Sequence, residues 1–311
     1  VTFAHESGVP TYTVPGYFAA DGNAAETSAV SGVKWRAHVS PDKPGLWSYR
    51  VSFVKGENAS VTPSVGEYVY PYQGKYGTFK VAKTDKKGRD FRAKGKLVRD
   101  GRYLGFDSQS KPWLKVGTNS PENFLAYSEF DGTYRGDLEH QHEDAPQADV
   151  LHMYEPHAQD WQPGDLTWGQ DKGKNIVGAT NYLASTGMNV VYFLTMNIGG
   201  DGKDVWPYTG YEERERFDVS KLEQWNLLFE HMQQKGLALH VVTQETENET
   251  MLDGGDIGFH RQLYYQELIA RFGHHLAVIW DLGEENGPVD FSPVGQTPEQ
   301  RRAMARYFVE H

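Results

Sequence analysis

Toward its end the chain reads Trp280-Asp281-Leu282-Gly283-Glu284-Glu285-Asn286. Two adjacent carboxylates and an amide follow an apolar run, Leu276-Ala277-Val278-Ile279-Trp280, that has the character of a buried strand. Proton transfer to a glycosidic oxygen needs a carboxylic acid held rigidly beside a partner, with its pKa raised. A strand end against an indole supplies both rigidity and desolvation. The same residues could cap a helix or brace a loop, and spacing alone leaves both readings open.

A second acidic and polar run, Gln244-Glu245-Thr246-Glu247-Asn248-Glu249, follows the apolar segment Leu237 to Thr243. Gln244, Glu245 and Asn248 are suited to binding substrate hydroxyls, and a solvated acidic loop is the alternative. A third run begins at Asn197, continues through glycines with Asp201 and Asp204, and ends at Trp206. Its oxygens could hold calcium near Asp201 and Asp204, but the full EF-hand spacing is missing. The expectation is no metal and no cofactor, with Asn197 and Asp201 as polar contacts and Trp206 as a stacking platform. Farther upstream stand Tyr154-Glu155-Pro156-His157, Asp160-Trp161 and Asp165-Leu166-Thr167-Trp168. Rings beside acids suit sugar subsites, because a ring face packs on pyranose C–H groups. This adds His157 to the candidates. His140, His142, His152 and His157 are too irregularly spaced to suggest a metal set and read as surface histidines.

The segments that must position these residues follow two different periods. Over roughly the first hundred residues the period is two. Val33 to Val39 alternates strictly, as does Trp47 to Phe53, with Pro41, Pro44 and Gly45 in the turn between. This predicts a half-buried hairpin with Trp35 and Trp47 in its core. Gly77 to Val81 and Leu97 to Leu104 add strands of an antiparallel sandwich. After about Gly105, strands alternate with helices. Trp113 to Gly117, Asn189 to Leu194, Leu237 to Thr243 and Leu276 to Trp280 are the predicted strands. Helices are predicted over Asn175 to Thr186, over a stretch opened by a Ser220/Glu223 capping box and stopped by Gly236, over Gln262 to Phe272, and after Thr297-Pro298. Near-continuous apolar strands with helices between them mean a parallel sheet covered on both faces. Long segments follow the strands and short ones follow the helices, which loads function onto the C-terminal strand ends. No glycine-rich phosphate loop is present. The expected domains are 1–104, a β-sandwich, and 105–311, the first four or so units of a (β/α) barrel.

The 311-residue chain has no cysteine, which excludes disulfides, thiolate catalysis and Cys-bound zinc. Its formal charge of −11 disfavours nucleic acid as a partner. No window approaches the roughly eighteen consecutive apolar residues of a membrane span. The opening Val1-Thr2-Phe3-Ala4-His5 lacks the basic and apolar regions of a signal peptide, so the expectation is either that a signal peptide has already been removed or that there never was one. From Lys80 to Arg102 ten basic residues face three aspartates, which predicts a solvated hairpin face or a patch for an anionic glycan.

Several longer motifs carry a resemblance. Ser120 to Tyr127, Phe130 to Tyr134, Leu194 to Gly202, Gln244 to Asn248 and Leu282 to Asn286 resemble a family of secreted bacterial glycoside hydrolases, as do Val14 to Phe18 and Lys43 to Tyr49. That family carries an uncharacterised β-sandwich (domain of unknown function 5060) ahead of a barrel similar to clan A glycosidases. The resemblance implies an O-glycosyl hydrolase, secreted, periplasmic or on the cell surface, retaining by double displacement, with a polysaccharide or oligosaccharide substrate. It leaves room for a homo-oligomer. Glu285 falls in the acid/base position, Glu284 stands where Asn is usual, and Asn123 lies in the first motif as a further substrate contact. The nucleophile of such barrels lies on a seventh strand, expected beyond His311. The alternative is a non-catalytic carbohydrate-binding protein on a decayed barrel.

Overall fold

Antiparallel pairing organises the beginning of the chain and parallel pairing the remainder. A computed structural model describes residues 1–119, 121–136, 151–198, 205–290 and 292–311. The first elements are β1 (Thr2–His5), β2 (Thr11–Thr13), β3 (Tyr17–Phe18), the short helix α1 (Ala24–Thr27), β4 (Trp35–Arg36), β5 (Gly45–Arg50), β6 (Val54–Lys55), β7 (Glu67–Tyr68) and β8 (Tyr76–Val81). Four of these strands form a sheet in the order β2-β1-β5-β8, while β3-β4 and β6-β7 are separate ribbons. Trp47 of β5 is fully buried, stacked between Tyr12 and Phe79, and its indole N–H donates to the Lys43 carbonyl at 2.9 Å.

The predicted hairpin between Val33–Val39 and Trp47–Phe53 does not form. Both edges of β5 are taken by β1 and β8, so no edge is left for the preceding segment. Only Trp35 and Arg36 of that segment are strand, and they pair with β3. Trp35, expected in the core, is 56% exposed. The basic stretch after Lys80 is likewise no single hairpin: it runs from the end of β8 through a 3₁₀ turn at Phe91–Ala93 into a new strand.

That strand, β9 (Leu97–Asp100), joins β10 (Tyr103–Phe106) and β11 (Pro112–Trp113) in a small antiparallel sheet. Phe91, Leu97 and Phe106 pack against Val190, Ala238 and Ala277. The 104/105 position expected to divide the domains lies inside β10. Trp113, expected on the first parallel strand, pairs instead with Leu104 in this small sheet.

The parallel sheet follows: β12 (Gly117–Thr118), helix α2 (Lys174–Ser185), β13 (Val190–Leu194), α3 (Val219–Lys235), β14 (Ala238–Val242), α4 (Phe259–Phe272), β15 (Val278–Asp281) and α5 (Pro298–Glu310). Its strands lie in the order β12-β13-β14-β15, all parallel, without the reversal of a doubly wound sheet. Val191, Phe193, Leu239, Val241, Val278 and Trp280 pack into the core shared with the helices. Side chains alternate along a strand, so Val190, Tyr192, Ala238, His240, Ile279 and Asp281 occupy the other, inner face. The small sheet covers the strand-start end of that face. Its middle carries Tyr192, His240 and Asp281, so the inner face is not apolar throughout as predicted.

Helix α3 is capped by Asp218, whose carboxylate accepts from the Lys221 N–H at 3.1 Å, and not by Ser220. Ser220 lies inside the helix and donates its hydroxyl to Asp218. Gly236 ends the helix at φ 74°, the left-handed conformation that glycine adopts without strain. The Thr297/Gln300 capping box of α5 is present with Pro298 in the first turn. No helix among the described residues is long and apolar enough to cross a membrane.

Candidate active site

Four consecutive strand units bring polar groups to one place on the inner face. Glu122 follows β12, and its carbonyl accepts from the Leu194 N–H at 2.8 Å, tying it to the exit of β13. Tyr192 of β13 hydrogen-bonds through its hydroxyl to the Glu284 carboxylate. Burial, then the negative charges of Glu284, Asp281 and Glu122, push the Tyr192 phenol far above its ordinary pKa. The phenol is therefore a fixed proton donor to Glu284. His240 of β14 meets Tyr192 edge-to-face with ring centroids 4.8 Å apart.

Lys115 contacts His240 Nδ1, so Nε2 carries the imidazole proton and donates to Asp281 at 2.9 Å. For Asp281 burial acts upward, yet the His240 hydrogen bond, the Gly283 N–H and the Lys115 ammonium win, leaving its carboxyl below the usual range. Burial draws the Lys115 ammonium downward, opposed by Asp281.

β15 ends at Asp281, so strand alternation does not extend to Glu284 and Glu285. Glu284 reaches Tyr192 on the inner face. Its N–H donates to the Gln244 carbonyl at 3.1 Å, fastening the exit of β15 to that of β14. Glu285 is exposed, with a left-handed φ of 45°. Asn286 donates to the Gly283 carbonyl at 2.9 Å and closes the turn around both carboxylates.

The run after β14 is built differently from the expectation. Gln244 is buried, accepting from Arg261 Nη1 at 2.6 Å and donating to Gln296 at 2.7 Å. Asn248 is also buried and holds both backbone groups of Ile198, at 2.6 and 2.9 Å. Glu245 is buried, and its N–H donates to the Met196 carbonyl at 3.2 Å. Asn197 is buried and exchanges backbone hydrogen bonds with Val205, both 2.8 Å. Trp206 is no open platform: it is buried among the rings of Tyr134 and Tyr211, with the Lys221 ammonium 5.4 Å from its ring centre.

Asn123 is buried and accepts from His152 at 2.8 Å. His157 lies against α2, with Tyr182 and Asp160 as neighbours, apart from the strand exits. Asp201, Asp204, His140 and His142 lie outside the described residues. Among the described residues no group of three His, Asp or Glu side chains is placed to hold a metal ion.

Reading by composition passed over Glu122, Tyr192, His240 and Arg261. Tyr192 and His240 did leave a signal, since each interrupts an apolar strand where an unpaired polar group would be costly. The register places them side by side.

Fold and site together define a class: a β-rich N-terminal region on an α/β domain whose strand exits gather carboxylates. A family model described as a domain of unknown function (DUF5060) matches residues 1–54. No curated protein matches the chain. A solved structure called a "putative glycoside hydrolase", from Bacteroides vulgatus ATCC 8482, is similar with a TM-score of 0.62 and 14% sequence identity. The similarity covers 99% of this chain and 48% of that one, so this chain spans about half the length of its neighbour. Likeness at this identity is likeness of fold: antiparallel β units joined to an α/β unit.

Proposed function

We propose that the protein hydrolyses O-glycosidic bonds of a polysaccharide outside the cytoplasm, with β12 to β15 as the first four strands of a (β/α)8 barrel and Glu285 as acid/base. The observation that carries this reading is the division of labour at the exit of β15. Glu284 is held by the Tyr192 hydroxyl, while the adjacent Glu285 carboxyl is open to an incoming ligand. Glu285 then gives its proton to the departing glycosidic oxygen as a carboxylate on a later strand, about 5–5.5 Å away, attacks the anomeric carbon. In the second step Glu285 takes a proton from water, and the resulting hydroxide displaces the carboxylate. Glu284, fixed in place, accepts a substrate hydroxyl.

The test is turnover in the full-length protein on two kinds of substrate. Glu285→Gln should lower turnover about a hundredfold or more where the leaving group is poor, and less on an activated aryl glycoside, which scarcely needs the proton. Glu284→Gln should act chiefly on KM. An inactive Glu284→Gln beside a near-normal Glu285→Gln would reverse the two roles. If neither change matters on any glycan that the protein binds, it is a non-catalytic carbohydrate-binding protein.

A further inference from the structure

A row of rings crosses the N-terminal region. Phe18 lies 5.5 Å from Trp35, Trp35 5.0 Å from Phe53, and Phe53 5.5 Å from Tyr72, centre to centre. Trp35 is 56% exposed and Tyr72 41%. Buried Trp47 has rings stacked on it at 10° and 17°, whereas Phe18 and Phe53 meet Trp35 at 60° and 89°. Among the described residues no ring lies parallel to Trp35. Apolar rings gathered in one row at the surface, not scattered singly, mark a binding face.

The charge around it is opposite in sign to the net charge of the chain. Between Val33 and Tyr76 there are six Lys and Arg against three Asp and Glu, while the whole protein carries −11. The Lys75 ammonium sits 5.0 Å from the centre of the Tyr72 ring. Arg50 is exposed and pairs in register with Tyr76, next in sequence to Lys75. Lys34, also exposed, stands beside Trp35.

We infer that Trp35, Phe53 and Tyr72, flanked by Lys34, Arg50 and Lys75, bind a strand of an anionic polysaccharide. Ring faces take the C–H faces of successive sugars, and the cations take carboxylate or sulfate groups. The face lies on the helix-bearing side of the molecule: Arg36, next to Trp35, pairs with Glu223 of α3, and Arg271 of α4 donates to the Phe18 carbonyl at 3.0 Å. Glu284, after β15, reaches Tyr192 on the opposite, inner face of the sheet. Binding at the rings is therefore separate from any cleavage and does not rest on the hydrolase reading.

The test is affinity electrophoresis of the whole chain in gels containing polygalacturonate, dextran sulfate or neutral dextran. Retardation is expected in a charged gel and not in the neutral one, and it should weaken as salt is raised. The gel that retards the protein identifies the anionic group. Trp35→Ala and Tyr72→Ala should each weaken retention about tenfold, as for an interface anchor, with melting temperatures unchanged. Should Trp35→Ala lose its fold, Tyr72→Ala alone decides. Equal retardation of Glu285→Gln and the parent protein would keep this binding distinct from the active-site assignment. The inference is overturned by no retardation in any gel, by equal retention in neutral dextran, by retention insensitive to both ring variants, or by a dimer in sedimentation that Tyr72→Ala abolishes.

Discussion

The exits of β14 and β15 are both rich in acids and amides, and they use them in opposite ways. After β14, Gln244, Asn248 and Glu249 are buried and spend their hydrogen bonds on the protein itself. Arg261, fully buried on α4, anchors that loop by donating to Gln244 and to the carbonyls of Glu249, Leu252 and Asp256. After β15, Glu284 is half-buried and Glu285 exposed. Acidic composition at a strand end is therefore not enough to mark a site: what matters is whether the scaffold has already claimed the side chains.

The contrast is easiest to break at Arg261. Replacing it with Met leaves a buried amide oxygen and several buried carbonyls short of donors, so unfolding in urea should show a loss of about 3–5 kcal/mol. A loss below 1 kcal/mol would mean that the loop after β14 is not built around this guanidinium. Asn248→Ala removes both bonds to the Ile198 backbone and should cost about 2 kcal/mol by the same measurement.

Acid should test the end of β15, which is Asp281. The Asp281 carboxyl is held below its unfolded value of about 3.9. Its contribution is therefore complete above that value and is lost as pH falls through the lower, folded one. Stability measured from pH 5 to pH 2 should fall less steeply in Asp281→Asn than in the parent, and identical slopes would remove Asp281 from the account. The smallest effect is expected at Glu285. Glu285→Gln should change stability by no more than about 0.5 kcal/mol, as at an exposed position, while removing the proposed acid. A larger change would place that side chain in the scaffold.

The parallel half was legible because its signals are local. β13, β14 and β15 are apolar runs bounded by turn residues, and the stripe on α3 from Leu222 to Met232 is buried. The N-terminal region was not, because its pairing is decided elsewhere: whether Trp35 is core or surface depends on which strands take the edges of β5. The site was divided in the same way. The exit of β15 could be read from the strand before it. The burial of Gln244 could not, since its partners Arg261 and Gln296 lie well downstream.

The small sheet of β9, β10 and β11 also governs the order of assembly. It is synthesised before any of the strands it seats, and the Leu97 N–H finds its partner only in the Leu276 carbonyl, at 2.7 Å. Until Val190, Ala238 and Ala277 have been made, Phe91, Leu97 and Phe106 lack the part of their cover that the parallel sheet supplies. Contacts this distant in sequence form slowly, and a ribosome-bound chain exposes such side chains in the meantime. The nascent protein thus carries a partly uncovered apolar seat at Phe91 to Phe106 until Ala277 has been made.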